Sequence, residues 1–230
     1  MTASDGAHAL GQQLRDIFGS RLRSVVVYRA VNLAPDAPLH TLATVETLQV
    51  NDLRACAQRA ASWHVNGLAT PLVIPVDEFA RALDAFPLEF GAILADHDVI
   101  VGDDPFAGLQ VREEDARRAC EVQVRSHLLH LREGFIETRG RGDALVDLIA
   151  DSAAPLAGLV MSVARLLGLA PATPQQAAEA VEHAARLPVG GLVDVLKHTP
   201  TGAEHARVVF GPYLTATEQL SHFVDRWSRA

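Results

Sequence analysis

Short apolar runs and helical periods alternate along the first half of the chain. Apolar residues at helical spacing, with turn residues at their ends, predict helices over residues 10–18, 51–67 and 77–83. Bounded runs rich in Val, Ile and Thr predict extended segments at 22–28, 39–48, 70–75, 89–94 and 99–101. This order favours an α/β (α+β) unit, a small mixed sheet with flanking helices.

Strand signals give way to long helical periods after the turn Gly102-Asp-Asp-Pro-Phe106. Four segments each predict a helix, namely an apolar stripe over 120–135, the apolar stretch 145–167, a segment that opens at Pro174, and a last one over 203–227. Their succession favours an antiparallel helical bundle, with a break or kink at Gly211-Pro212. The sequence therefore predicts two domains, residues 1–110 and 111–230.

Composition and charge narrow the class of protein. The 230 residues are 49% hydrophobic and 21% charged, as in ordinary soluble globular proteins. The formal net charge of -8 would repel a phosphate backbone, so nucleic-acid binding is not favoured. The chain shows neither a signal-peptide pattern nor an uncharged stretch long enough to span a bilayer, so we expect a cytoplasmic protein without a membrane partner. Cys56 and Cys120 have no partner spacing and are expected to be reduced and buried.

Three segments resemble a known family. They are the helix-to-strand passage from Arg15 to Tyr28, the segment Phe86-Pro-Leu-Glu-Phe90 followed by His97 and Val101-Gly-Asp-Asp-Pro-Phe106, and the positions Cys120-Glu121, Val124-Arg125, Leu128-Leu129 and Leu131-Arg132. Together they resemble bacterial nucleotidyltransferase-like proteins of the polymerase-beta fold, which continue into a C-terminal helical bundle. The resemblance implies this fold over most of the chain.

The chemistry that the resemblance implies depends on two motifs. A Gly-Ser turn after the first strand lets backbone N–H groups approach the nucleotide phosphates. An Asp-x-Asp pair on the next strand places two carboxylates on one face, where they hold the two metal ions of the transfer reaction. An active member would therefore need Mg²⁺.

This chain departs from both motifs. Arg29 and Ala30 stand where the Gly-Ser pair would be, and residues 38–45, in the place of the metal-binding strand, contain no Asp or Glu. Asp36 and Glu46 flank that segment without forming the spaced pair. We therefore expect a degenerate nucleotidyltransferase that has lost metal-dependent transfer, with no metal site and no required cofactor; Mg²⁺ is needed only if activity is retained.

Five residues are candidates for contact with a ligand in the cleft between the two domains. They are Arg29, Asn32, Glu89, Arg125 and Arg132. The planar guanidinium of Arg29 suits two oxygens of an anion, and Glu89 matches an acidic position of the family. Each of the arginines has a structural alternative: Arg29 is a solvated or ion-paired surface residue, Arg125 pairs with Glu121, and Arg132 bridges the two domains. Asn32 is alternatively a turn former.

Histidines give weaker signals. His40 is expected to be a packed or edge residue of its strand, and Asp96-His97-Asp98 is expected to form a hairpin turn. His127 and His130 are three positions apart on a predicted helix, a spacing that chelates a metal only when further ligands converge.

Three functions follow as alternatives. The first is a nucleotidyltransferase-fold protein that binds a nucleotide or small anionic ligand without transferring it. The second is an interaction module whose apolar bundle mediates homodimerisation or partner binding. The third is an active nucleotidyltransferase with a rearranged site.

Overall fold

The computed structural model describes residues 3–28, 37–188, 190–198 and 200–228. Its contacts divide the chain into two compact units, Met1–Arg112 and Glu113–Ala230. The first unit contains α1 (Ala3–Phe18), a 3-10 turn (Gly19–Arg21), β1 (Leu22–Tyr28), β2 (His40–Val45), α2 (Val50–Ala57), α3 (Ala60–Val65), β3 (Leu72–Pro75), α4 (Val76–Ala85), α5 (Pro87–Ala95) and β4 (His97–Gly102). The second contains α6 (Glu113–Glu137), α7 (Gly142–Leu166), α8 (Pro174–Ala185), α9 (Val193–Lys197) and α10 (Ala203–Arg226).

The first unit is built on a four-stranded mixed sheet in the order β3-β2-β1-β4. β1 pairs antiparallel with both β2 and β4, and β2 pairs parallel with β3. Leu14 of α1 and Trp63 of α3 share one apolar cluster with Val25, whereas Phe79 of α4 shares a second cluster with Val26. Because Val25 and Val26 point to opposite faces, both faces of β1 are covered, which explains its unbroken apolar run. The predicted fold class is confirmed.

Two predicted elements of the first unit are wrong. Residues 89–94, expected to be extended, belong to α5, where Pro87 opens the helix and is buried together with Phe90 and Ile93 at intervals of three. The helix expected over 51–67 is two helices, and its N-cap is Gln49 because Gln49 and Asp52 form a reciprocal capping box.

Two further expectations are corrected, namely the hairpin turn at residues 96–98 and a break of the last helix at Gly211-Pro212. Asp96 ends α5 as its C-cap, and His97 and Asp98 are the first residues of β4, so these three residues form no hairpin turn. α10 continues through Pro212. The carbonyl that proline leaves without a helical donor is that of Val208, a residue whose surface is 71% exposed, so water can hydrate it.

The second unit is an antiparallel helical bundle with α7 inside it. Arg125 pairs with Asp225 and Arg132 with Glu218, so α6 and α10 run in opposite directions. A Cβ built on Gly134 would lie 2.5 Å from Cδ1 of Leu148, which shows how closely α6 approaches α7.

Helix α7 is, within the described residues, the one helix long and apolar enough to cross a membrane by length and composition. Eleven of its 25 residues are buried, and it packs against α6, α8 and α10. Its packing against three neighbouring helices places α7 within the bundle. Cys56 and Cys120 are both buried and free, as predicted.

Candidate functional site

Three polar aromatic side chains lie side by side where β1 ends. Tyr28 is the last residue of β1, and its register partners are His40 at the start of β2 and His97 at the start of β4. Register partners on neighbouring strands project from the same face of a sheet, so the three form a row across β2, β1 and β4. The ring centroids of Tyr28 and His40 are 5.5 Å apart. We call Tyr28, His40 and His97 the His-Tyr-His row.

His97 is held in place at both ring nitrogens. Nδ1 lies 2.9 Å from the carbonyl oxygen of Ile93, and Nε2 lies 3.1 Å from Oδ1 of Asp104. The same Asp104 oxygen accepts a hydrogen bond of 2.8 Å from the backbone N–H of Phe106. This backbone hydrogen bond, together with His97, lowers the pKa of Asp104. His97 therefore orders this end of the sheet and leaves no ring nitrogen for a ligand.

His40 and Tyr28 have polar atoms that could form hydrogen bonds with a ligand. Within the described residues, neither ring nitrogen of His40 has a hydrogen-bond partner in the protein. Burial lowers the pKa of His40, which favours the neutral imidazole, and burial raises the pKa of Tyr28, which favours the neutral phenol. The pair therefore offers one imidazole that can accept or donate and one hydroxyl that can donate.

Strand β2, which begins with His40, does not carry the pair of carboxylates that the resemblance to nucleotidyltransferases implies. Residues 41–45 of β2 are all buried, and none of them is a carboxylate. The hydroxyl oxygen of Thr41 is buried without a partner in the described residues, whereas a Mg²⁺ ion is bound in proteins through one or two carboxylates, together with water and substrate phosphates. Glu46, just beyond the strand, is ion-paired with Arg23. Across the described residues no group of three or more His, Cys, Asp or Glu side chains could hold a metal ion.

The ligand-contact residues predicted from the sequence lie in three different parts of the chain. Arg29 and Asn32 lie outside the described residues, one and four positions after Tyr28 in the sequence. Glu89 is an exposed residue in the first turn of α5, one turn before Ile93, whose carbonyl oxygen contacts His97.

Arg125 and Arg132 belong to the second unit and tie α6 to α10. Arg125 Nη2 lies 3.0 Å from a carboxylate oxygen of Glu121 and 2.9 Å from one of Asp225. Arg132 Nη2 lies 2.7 Å from a carboxylate oxygen of Glu218. Arg132 therefore pairs with a residue of its own unit. The structural alternative expected from the sequence was a bridge between the two domains.

A buried hydrogen-bond chain in the second unit was not foreseen from the sequence. His127 Nε2 lies 2.5 Å from the hydroxyl of Tyr213, which donates to Ser152 Oγ at 3.2 Å. Ser152 in turn donates to the carbonyl oxygen of Ile149 at 2.8 Å. His127 is buried whereas His130 is exposed, so the two histidines do not converge on a metal. The hydrogen bonds between His127, Tyr213 and Ser152 link α6, α10 and α7.

The second unit also has an open groove at the C-terminal end of α10. Its volume is about 500 Å³, and it is lined by Ala185, Gln219, His222, Phe223, Arg226, Trp227 and Ser228. Of the sequence-predicted ligand residues that the structure describes, namely Glu89, Arg125 and Arg132, none lines it.

The architecture as a whole is of nucleotidyltransferase type, a mixed sheet with helices on both faces followed by a helical bundle. The structure is similar to that of the spectinomycin adenyltransferase AAD(9) from Enterococcus faecialis, solved with ATP and spectinomycin. The TM-score is 0.56, with 12% sequence identity, over 97% of this chain and 99% of that one. At that identity the likeness shows the fold. No protein-family model matches the chain, and no curated protein matches it.

Proposed function

We propose that the chain is a divergent nucleotidyltransferase-fold protein that binds a nucleotide or small anionic ligand at the His-Tyr-His end of its sheet and does not perform metal-dependent nucleotidyl transfer. The proposal depends above all on β2, whose residues 41–45 are buried and contain no carboxylate. Transfer in this fold needs metal ions held by carboxylates on that strand.

The residues at the end of β1 support binding. His40 and the Tyr28 hydroxyl supply neutral hydrogen-bonding groups, and Arg29 follows Tyr28 directly in the sequence. A guanidinium and neutral donors together can hold a phosphate or carboxylate without a metal ion. Asn32 follows in the same segment and supplies a further amide. Glu89, Arg125 and Arg132 remain candidate contacts from the sequence.

The fold neighbour supports the choice of ligand class. That protein was solved with ATP, so a nucleoside triphosphate is the first ligand to test here. A ligand at 100 times its dissociation constant stabilises the folded state by about 2.7 kcal/mol, which a thermal-shift measurement detects.

The test is a thermal-shift series with ATP, GTP, CTP and UTP in EDTA, on the wild type and on three variants. We expect at least one nucleotide to raise the melting temperature of the wild type. Arg29→Gln and His40→Asn should each make that rise smaller, because each removes a group proposed to bind the anion. We expect each substitution to raise the apparent dissociation constant of the nucleotide at least tenfold. His64→Asn is the matched control, since His64 is an exposed histidine of the same unit that contacts Thr70.

The ligand-induced shift, rather than the melting temperature itself, is compared, so a variant that is less stable still reports on binding. A shift that is identical in all four proteins would refute binding at this end of the sheet. The absence of a shift with every nucleotide would refute the nucleotide as ligand.

A further inference from the structure

The open groove at the C-terminal end of α10 combines aromatic and basic side chains. Phe223 and Trp227 line it together with His222 and Arg226. Within each pair the two residues are four positions apart, so their side chains lie on neighbouring turns of one helix face. We call this cavity the α10 groove. Its volume of about 500 Å³ lies in the range of small-molecule pockets.

The described residues that line the α10 groove include no carboxylate, although the whole chain has a formal net charge of -8. The two acidic residues of α10 nearest to it face a different helix. Asp225 pairs with Arg125, and Glu218 pairs with Arg132, both on α6. The groove therefore presents basic side chains without the acidic residues that would neutralise them.

The guanidinium of Arg226 keeps hydrogen-bond donors for a ligand. Its Nε donates to the carbonyl oxygen of His222 at 3.1 Å, as basic side chains in the last turn of a helix commonly do. Within the part of the chain that the structure describes, Arg226 makes no ion pair. Its two Nη groups therefore remain for an anion, and a guanidinium matches the two oxygens of a carboxylate.

The aromatic residues add a surface for a flat apolar ring. Phe223 and Trp227 are both half-buried, and both line the groove. Aromatic side chains pack against other rings in offset or edge-to-face geometry, which adds to the gain from burial. The indole N–H of Trp227 has no hydrogen-bond partner among the described residues, so it is a further donor.

We propose that the α10 groove binds a small aromatic carboxylate. The carboxylate accepts hydrogen bonds from the Nη groups of Arg226, and the ring packs against Phe223 and Trp227. A single guanidinium balances the charge of one carboxylate, whereas a triphosphate carries several charges. The groove belongs to the second unit and the His-Tyr-His row to the first, so this proposal does not depend on the proposed nucleotide site.

The test is a titration of the full chain with naphthoate, a planar aromatic carboxylate, followed through the tryptophan indole N–H signals in heteronuclear correlation spectra. The chain has two tryptophans, Trp63 and Trp227. Trp63 is 2% exposed and donates to Gln13 in the first unit. We expect naphthoate to shift the Trp227 signal in a saturable manner and to leave the Trp63 signal in place. Trp227→Phe removes one signal and thereby assigns both.

Two arginine variants test the role of the charge. Arg226→Gln should raise the dissociation constant of naphthoate by about tenfold or more, because hydrogen bonds to a charged group contribute that much. Arg207→Gln is the matched control, since Arg207 is an exposed arginine of the same helix that pairs with Glu204. It should leave the dissociation constant unchanged. Melting temperatures show whether each variant is folded.

Naphthamide has the same ring without the charge. It should bind the wild type more weakly than naphthoate does, and it should bind Arg226→Gln as well as it binds the wild type.

An unchanged Trp227 signal at saturating naphthoate would overturn the proposal. So would equal dissociation constants for the wild type and Arg226→Gln, or an equal loss in Arg207→Gln, which would show a general effect of charge. Naphthamide that binds the wild type as tightly as naphthoate would overturn the assignment of the ligand as a carboxylate.

Discussion

The second unit contains a buried imidazole, that of His127, from which we predict that mild acid lowers the stability of the protein. His127 is 7% exposed and contacts the hydroxyl of Tyr213, which is fully buried. Burial, with His130 nearby, lowers the pKa of His127 to about 4. In the unfolded chain a histidine has a pKa of about 6.5. His127 is thus neutral in the fold over a range in which the unfolded chain takes up a proton.

We predict that the free energy of unfolding decreases as the pH falls from about 6.5 towards 4, and that His127 contributes no pH dependence above this range. The loss from this one group is at most about 3 kcal/mol. Urea unfolding at pH 7 and pH 4.5 measures it. His127→Gln keeps a hydrogen-bonding side chain but cannot titrate, so its loss between the two pH values should be smaller.

His205→Gln is the control, because His205 is an exposed histidine on α10. The control should lose as much stability as the wild type. If His127→Gln loses as much as well, the buried neutral histidine is not the source of the acid sensitivity.

At the scale of residues, the composition of a strand segment could be read from the sequence, whereas the neighbours of its side chains could not. Residues 38–45 contain no Asp or Glu, and the structure shows 41–45 buried in β2. The His-Tyr-His row could not be predicted, because it depends on the register of Tyr28 with His40 and His97. Register is set by the turn and the packing of both strands, and a shift of one residue would turn these side chains to the other face.

A carboxylate orders the loop that leads into the short helix α9. Glu182 of α8 is 5% exposed and accepts hydrogen bonds from the backbone N–H groups of Gly190, Leu192 and Val193, at 2.9, 2.6 and 3.1 Å. These N–H groups have no partner within so short a helix, so the carboxylate takes the place of a cap. The connection between α8 and α9 therefore depends on one side chain.

We predict that Glu182→Gln destabilises the second unit by about 1–3 kcal/mol, because an amide NH₂ would face N–H donors in a buried site. Hydrogen exchange at the amides of Leu192 and Val193 should become faster by the corresponding factor. Glu179→Gln is the matched control on the same helix, where an exposed Glu179 contacts Lys197. Equal effects of the two substitutions would show that Glu182 does not order this loop.

At the scale of elements, the periodicity of the long helices was sufficient for prediction and that of short segments was not. Helix α8 begins at Pro174 as predicted, since Pro at the first position and the Thr173 cap define its start. Residues 89–94 were assigned to a strand because a short apolar run does not distinguish a strand from a buried helix. This segment forms a helix because Phe90 and Ile93, three positions apart, then pack from one side into the same apolar cluster.

At the scale of the whole molecule, the ligand site proposed at the His-Tyr-His row belongs to the first of the two units. The first unit has the nucleotidyltransferase-type sheet, with hydrogen-bonding groups at one end and no carboxylate on residues 41–45 of β2. The second unit is a helical bundle with its own buried core. Variants of His40 should therefore affect ligand binding at that row without unfolding the bundle, since His40 lies in the first unit.

The central claim is that this fold binds its ligand without metal ions, and the most direct test is calorimetric titration of ATP into the full chain, once in EDTA and once in excess Mg²⁺. We predict binding in EDTA with a dissociation constant that Mg²⁺ does not improve, and no pyrophosphate release in either condition. ATP binding that requires Mg²⁺, or that tightens tenfold or more with it, would contradict the account, because it would show that metal ions are still recruited to the site.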